Sequence, residues 1–220
     1  MAPVIIDKFN PESWNRYNYT YNNPLKYVDQ NGKWPKRTHE LIIDRAFPGL
    51  SVQQRNELKQ VSAWVDRIPG GQTKAHNQEH AMKSPGENPA TARQAIDQNI
   101  ANHEQAARQA QGSTPEHANQ ITPGALNEFG LALHPVTDRT PPAHTDQNGN
   151  PRDWAGLPVT PGEVEAVQQH EAEEANITPE QMNTATQAAR DAFKEVFDDA
   201  ALREAIQEPK KKEEPKKNDE

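Results

Sequence analysis

The sequence predicts an all-α protein, on three observations. Helix-start signatures recur along the chain. Apolar residues fall at helical spacing behind them. From Lys36 onward the pattern reads as helices rather than strands.

The elements follow in order. Residues 1–33 stand apart: Tyr17, Tyr19 and Tyr21 alternate, and Asn-Pro and Asn-Gly dipeptides punctuate the stretch, which predicts a short β/turn segment. Thr38-His39 opens a helix carrying Leu41, Ile42, Ile43 and Phe47. Ser51 with Gln54 has the spacing of a capping box, and Leu58, Val61 and Val65 follow on one face. Asp66 closes that helix. The Ala/Gln-rich stretch 89–111 predicts a polar-faced outer helix, with a partner-binding module as the weaker alternative. Thr122-Pro123, Thr160-Pro161 and Thr178-Pro179 each place threonine at an N-cap and proline at the first helical position. In the last of these helices Ala189, Phe193, Val196 and Phe197 mark the buried face. Residues 208–220, "EPKKKEEPKKNDE", carry mixed charge and almost no apolar content, and predict a disordered tail. The expected division is therefore 1–33, a helical domain over 34–207, and the tail 208–220.

Composition restricts the chemistry. The 220 residues are only 33% hydrophobic, lean for a single buried core, and a bound metal would add its binding free energy to folding. There is no cysteine, so disulfides, thiolate metal sites and cysteine nucleophiles are excluded. The formal net charge of −8 argues against duplex binding through phosphate neutralisation. No apolar run approaches the roughly 18 residues of a membrane span, and "MAPVIIDKFN" is too short and polar for a secretory signal.

Any metal must then rest on His, Asp, Glu or backbone groups. His134 and Asp138 lie four apart, on one helix face, and His144 follows just past the helix. Imidazole and carboxylate are zinc ligands. Alone, a histidine and an aspartate one turn apart are usually an exposed polar pair or a capping interaction. His170 and Glu174 repeat the spacing, beside Glu171 and Glu173, where a solvated acidic face is the plain alternative. His39 in a first turn reads as a surface residue, Asp66 as a helix terminator, and His76 with His80 as a metal clip or loop histidines. Pro135 directly follows His134 and predicts a kink or restart that takes His134 off the ideal face.

Two stretches resemble known families. "FNPESWNRYNYTYNNPLKYVDQNGK", beginning at Phe9, resembles the C-terminal end of the core of RHS-repeat proteins, whose β-strand shell precedes a variable toxin domain. The family junction commonly reads Asp-Pro-x-Gly, where this chain has Asp29-Gln30-Asn31-Gly32. Farther on, the order Trp34-x4-His39, Asp66 in "SAWVD", His80, "FGLALHPVTDRTPPAH" and His170-x3-Glu174 resembles the zinc-dependent phospholipase C and single-strand-specific zinc nuclease superfamily. That resemblance implies an all-helical domain with up to three zinc ions. It assigns Asp66, His80, His134 and Asp138 to one ion and His144, His170 and Glu174 to a second. The third falls to His39, Asp138 and the terminal amine and carbonyl of Trp34, available only after cleavage following Lys33. The implied activity is phosphodiester hydrolysis, on phospholipid or nucleic acid, by an RHS-type toxin tip delivered into a target cell, with a cognate immunity protein as partner. Asp66 is the expected water-orienting catalytic group. The alternative is a non-catalytic RHS-associated fragment that binds or braces.

Overall fold

The computed structural model describes residues 36–68, 71, 73–140, 142–156, 165, 169, 172–173 and 177–208. The segment 1–33, the helix start at Thr160-Pro161 and nearly all of the C-terminal tail lie outside them. Within them the fold is helical: α1 (Lys36–Ala46), α2 (Val52–Val65), α3 (Pro89–Gln111), α4 (Pro123–Asp138) and α5 (Pro179–Ala205), with 3₁₀ segments at Lys74–His80 and Ala118–Gln120. Among the described residues pairing of the β type is confined to two isolated bridges, Lys83 with Asp153 and Thr145 with Pro151.

The caps are built as their local chemistry requires. The Ser51 side chain accepts from the Gln54 N–H, and the Gln54 side chain accepts from the Ser51 N–H, closing the capping box of α2. Thr122 caps α4 through the Ala125 N–H, and Thr178 with Gln181 forms a second box on α5; both helices begin with proline. Asn88 caps α3. Asp66 is the C-cap of α2.

α4 is the axle. It packs against α2, α3 and α5, while α1 packs on α5 and α2. Its first half carries Phe129, fully buried, into an aromatic cluster with Phe47, Phe193 and Phe197. Ring centroids there lie 4.8 to 6.2 Å apart, in the tilted and edge-on arrangements that aromatic quadrupoles favour. Gly130 lets α2 approach: a Cβ at this position would sit 2.8 Å from Val61 Cγ1. At the other end of α1, Gly49 donates to the Ala205 carbonyl at 2.7 Å, a crossing too close for any side chain.

The polar-faced reading of α3 holds: Ala92, Ile96, Ile100 and Ala107 are buried and most of its remaining surface is exposed or half-buried. The expected break at Pro135 does not occur. α4 runs helically through it to Asp138. Pro135 and its neighbours 132 to 138 are all buried, so packing on every side holds the helix where a solvated one would give way. α5 has the real irregularity, a kink at Asp198 with φ 76° and ψ 168°.

Candidate metal centre

The second half of α4 delivers His134 and Asp138 to one face, one turn apart. α1 brings His39 from its first turn, and the C-cap of α2 brings Asp66. The 3₁₀ segment ends on His80, and the loop after α4 returns His144. Six of the nine residues singled out in the sequence thus converge, each no more than 6% exposed. Trp34, His170 and Glu174 lie outside the described residues. His76 does not join; its Nδ1 pairs with Glu79 Oε1 at 2.8 Å on the half-exposed side of its segment.

Four atoms define the centre. His134 Nε2 stands 3.3 Å from His80 Nδ1, 3.2 Å from Asp138 Oδ2 and 3.6 Å from Asp66 Oδ1. His80 Nδ1 is 3.9 Å from Asp66 Oδ1 and 3.8 Å from Asp138 Oδ2. Metal–ligand bonds of 2.0–2.1 Å in a tetrahedron separate the donors by roughly 3.3–3.4 Å, and the spacings around His134 Nε2 lie close to that range. The other oxygen of Asp138 faces away, 3.2 Å from His39 Nε2. Two groups of donors share His134, namely His39–His134–Asp138 and Asp66–His80–His134, each with its atoms within 4.8 Å of one another.

A purely structural network of histidines and aspartates would satisfy its own hydrogen bonds, as buried polar groups do. This one does not. Both oxygens of Asp138, Asp66 Oδ2 and His80 Nε2 are buried with no hydrogen-bond partner among the described residues. Burial pushes the Asp138 carboxyl up, yet the imidazoles of His134, His144 and His39 outweigh it and hold the group well below the usual carboxylate range. The result is an ionised carboxylate, 1% exposed, inside a ring of nitrogen donors. Such a charge is stable in a protein interior only when paired or bound to a cation. The donor set can hold a metal ion.

No family model matches this chain, and no curated protein or solved structure does. The site therefore stands on its geometry.

Around the six donors lie oxygens that the sequence did not single out. Ser62 Oγ is 3.1 Å from His134 Nδ1, and Thr137 Oγ1 is 3.2 Å from His39 Nδ1. His144 Nδ1 lies 2.7 Å from the His80 carbonyl and, since that oxygen only accepts, carries the ring proton. Metal-binding imidazoles characteristically anchor their second nitrogen in this way. The signal for Thr137 was its place immediately before Asp138 and three residues after His134; nothing local marked Ser62.

Proposed function

We propose that this chain is a zinc-dependent phosphodiester hydrolase, of phospholipase C or nuclease type, and serves as the toxin tip of an RHS-type protein. The observation that carries the reading is the pair of buried donor groups His39–His134–Asp138 and Asp66–His80–His134, which share His134, with Asp66 Oδ2 and His80 Nε2 buried and without a hydrogen-bond partner among the described residues. Imidazole-rich donor sets without sulfur suit zinc among the common divalent ions, whereas calcium and magnesium prefer all-oxygen shells. The order of donors along the chain supports the zinc hydrolase class, and the motif in residues 9–33 supports the RHS context.

When bound, zinc lowers the pKa of a ligated water to about 7 and polarises a phosphoryl oxygen. The chain's residues supply the rest. Asp138 sets its two oxygens against His39 Nε2 and His134 Nε2, each at 3.2 Å, and His134 belongs to both donor groups. Asp66 places Oδ1 in the cage and leaves Oδ2 without a hydrogen bond, a buried acceptor suited to orient a water and take its proton. Ligating imidazoles are neutral, so a bound divalent ion would offset the charges of Asp66 and Asp138 before an anionic phosphodiester approached.

The burial of all six donors favours a second reading, a closed structural ion that braces a lean core. One set of measurements separates the two. Protein purified without added zinc is analysed for metals, then assayed on phosphatidylcholine, single-stranded DNA and RNA. Near-stoichiometric zinc with hydrolysis of one substrate, both abolished by Asp138→Ala, is the expected result. Zinc without turnover on any of the three leaves the structural ion, and folded protein without metal removes both readings.

A further inference from the structure

We infer that Thr137 is a positioning residue, whose hydroxyl fixes the tautomer of His39 and thereby turns the lone pair of Nε2 onto the metal centre. The inference deepens the metal-centre reading and rests on it for its purpose.

A threonine hydroxyl has one proton and two lone pairs. Thr137 Oγ1 lies 3.0 Å from the Leu133 carbonyl and 3.0 Å from the His134 carbonyl, so its single proton is committed to the helix backbone. Toward His39 Nδ1, at 3.2 Å, the same oxygen can then only accept. The ring proton of His39 is accordingly held on Nδ1. That leaves Nε2 as the basic nitrogen, and it faces Asp138 Oδ1 at 3.2 Å. A cation between that lone pair and the carboxylate oxygen would be held by both. Thr137 is 1% exposed and His39 4%, so water does not compete for the hydroxyl. The His39 ring also stacks on His134, with centroids 4.4 Å apart and planes 25° from parallel, which limits rotation about the Thr137 contact.

The hydroxyl is placed by the same turn that delivers the ligands. Back-bonding to the carbonyls three and four residues earlier is an ordinary threonine conformation in a helix, and here it spends the proton that would otherwise leave the tautomer open. No other residue type at this position gives a β-branched, helix-compatible side chain with an acceptor and no further donor. Serine keeps the acceptor. Valine keeps the shape and loses it.

The test uses the full chain and two variants, Thr137→Val and Thr137→Ser. Nitrogen-15 spectra of histidine-labelled, chelator-treated protein read the tautomer of His39 directly. A competitive zinc chelator reads affinity. The wild type and Thr137→Ser are expected to show the Nδ1–H form. In Thr137→Val that preference is lost, and zinc binds roughly ten- to a hundredfold more weakly, the range seen when an outer partner of a metal-bound histidine is removed. A merely structural role would lower stability in the valine variant and leave the tautomer of the folded protein unchanged. The wild-type spectrum alone is decisive where valine prevents folding: an Nε2–H proton on His39 overturns the assignment. Failure of the hydrolase reading looks different, because it shows as absent zinc or absent turnover while the tautomer still follows the hydroxyl.

Discussion

Asp138 is the residue on which the site turns. Its two oxygens face different donors, so shortening or neutralising it has two consequences at once. Asp66 differs: one oxygen is in the cage and the other is not engaged. Asp66→Asn keeps a ligating carbonyl oxygen and loses the basic one. The expected outcome is retained zinc by elemental analysis with turnover down about a hundredfold or more, in keeping with the contribution of a positioned general base. Unchanged turnover at full zinc content would remove Asp66 from that role. Gly130 makes a prediction of packing alone. Alanine there must displace Val61, whose Cγ1 would stand 2.8 Å from the new Cβ. Overpacking of this kind costs about 1–3 kcal/mol, to be read from urea midpoints with metal content unchanged.

At the scale of elements, the sequence disclosed what short-range chemistry decides. Ser51 with Gln54, Thr122 before Pro123 and Thr178 with Gln181 were legible because a cap is made within four residues. The apolar faces of α1, α2 and α5 were legible because their spacing is periodic. Pro135 misled because the rule for proline describes an isolated helix, and α4 is enclosed on all sides at that point. The burial of His39 was hidden for the opposite reason: a first-turn histidine is ordinarily solvated, and only the fold sets its ring against His134 and Thr137. Ser62 was invisible as a partner and Thr137 was marked by position alone, because a hydroxyl's role depends on which imidazole the fold brings to it.

The joint between elements has its own pH dependence. Glu204, near the end of α5, accepts from His117 Nδ1 at 2.6 Å and from the Ala118 N–H at 3.0 Å, pinning α5 to the turn that precedes α4. The hydrogen bond and charge of Glu204 raise the His117 pKa above its ordinary 6.5. The bonds from His117 and Ala118 lower that of Glu204 below its ordinary 4.5. The histidine's contribution is complete below 6.5 and fades as pH rises through the raised value. The glutamate's is complete above 4.5 and fades as pH falls through the lowered one. Their joint contribution is therefore fullest between those two ordinary values. In His117→Ala the stability difference from wild type, followed by denaturation across pH, should be greatest in that window and shrink on either side.

For the whole molecule, α4 joins two interiors of different kinds. Around Phe129 the core is dry and aromatic. Around His134 and Asp138 it is polar, and it holds the segments 73–88 and 142–156 to the bundle. Those segments have little apolar burial of their own, with Ala81, Met82, Ala143 and Trp154 as their buried apolar residues. They hold each other by backbone bonds, Lys83 N–H to Arg152 O at 2.9 Å and Trp154 N–H to Lys83 O at 2.7 Å, and 142–156 closes on itself through Arg152 N–H to His144 O at 2.8 Å. With an ion in place, His80 would anchor 73–88 to the bundle, and 142–156 is tied to that segment through His144 Nδ1–H to the His80 carbonyl. Without the ion, orphaned carboxylate oxygens and imidazole nitrogens stay buried, which is costly. Free energy of metal binding would here be free energy of folding, distributed unequally. Chelation should therefore lower the melting temperature, and amide exchange should quicken first in 73–88 and 142–156 while α1, α5 and the first half of α4 stay protected. Re-addition of zinc should restore both. Uniform loss of protection along the chain would mean that the two interiors fold as one unit, and no change at all would mean that the cage contributes nothing to stability.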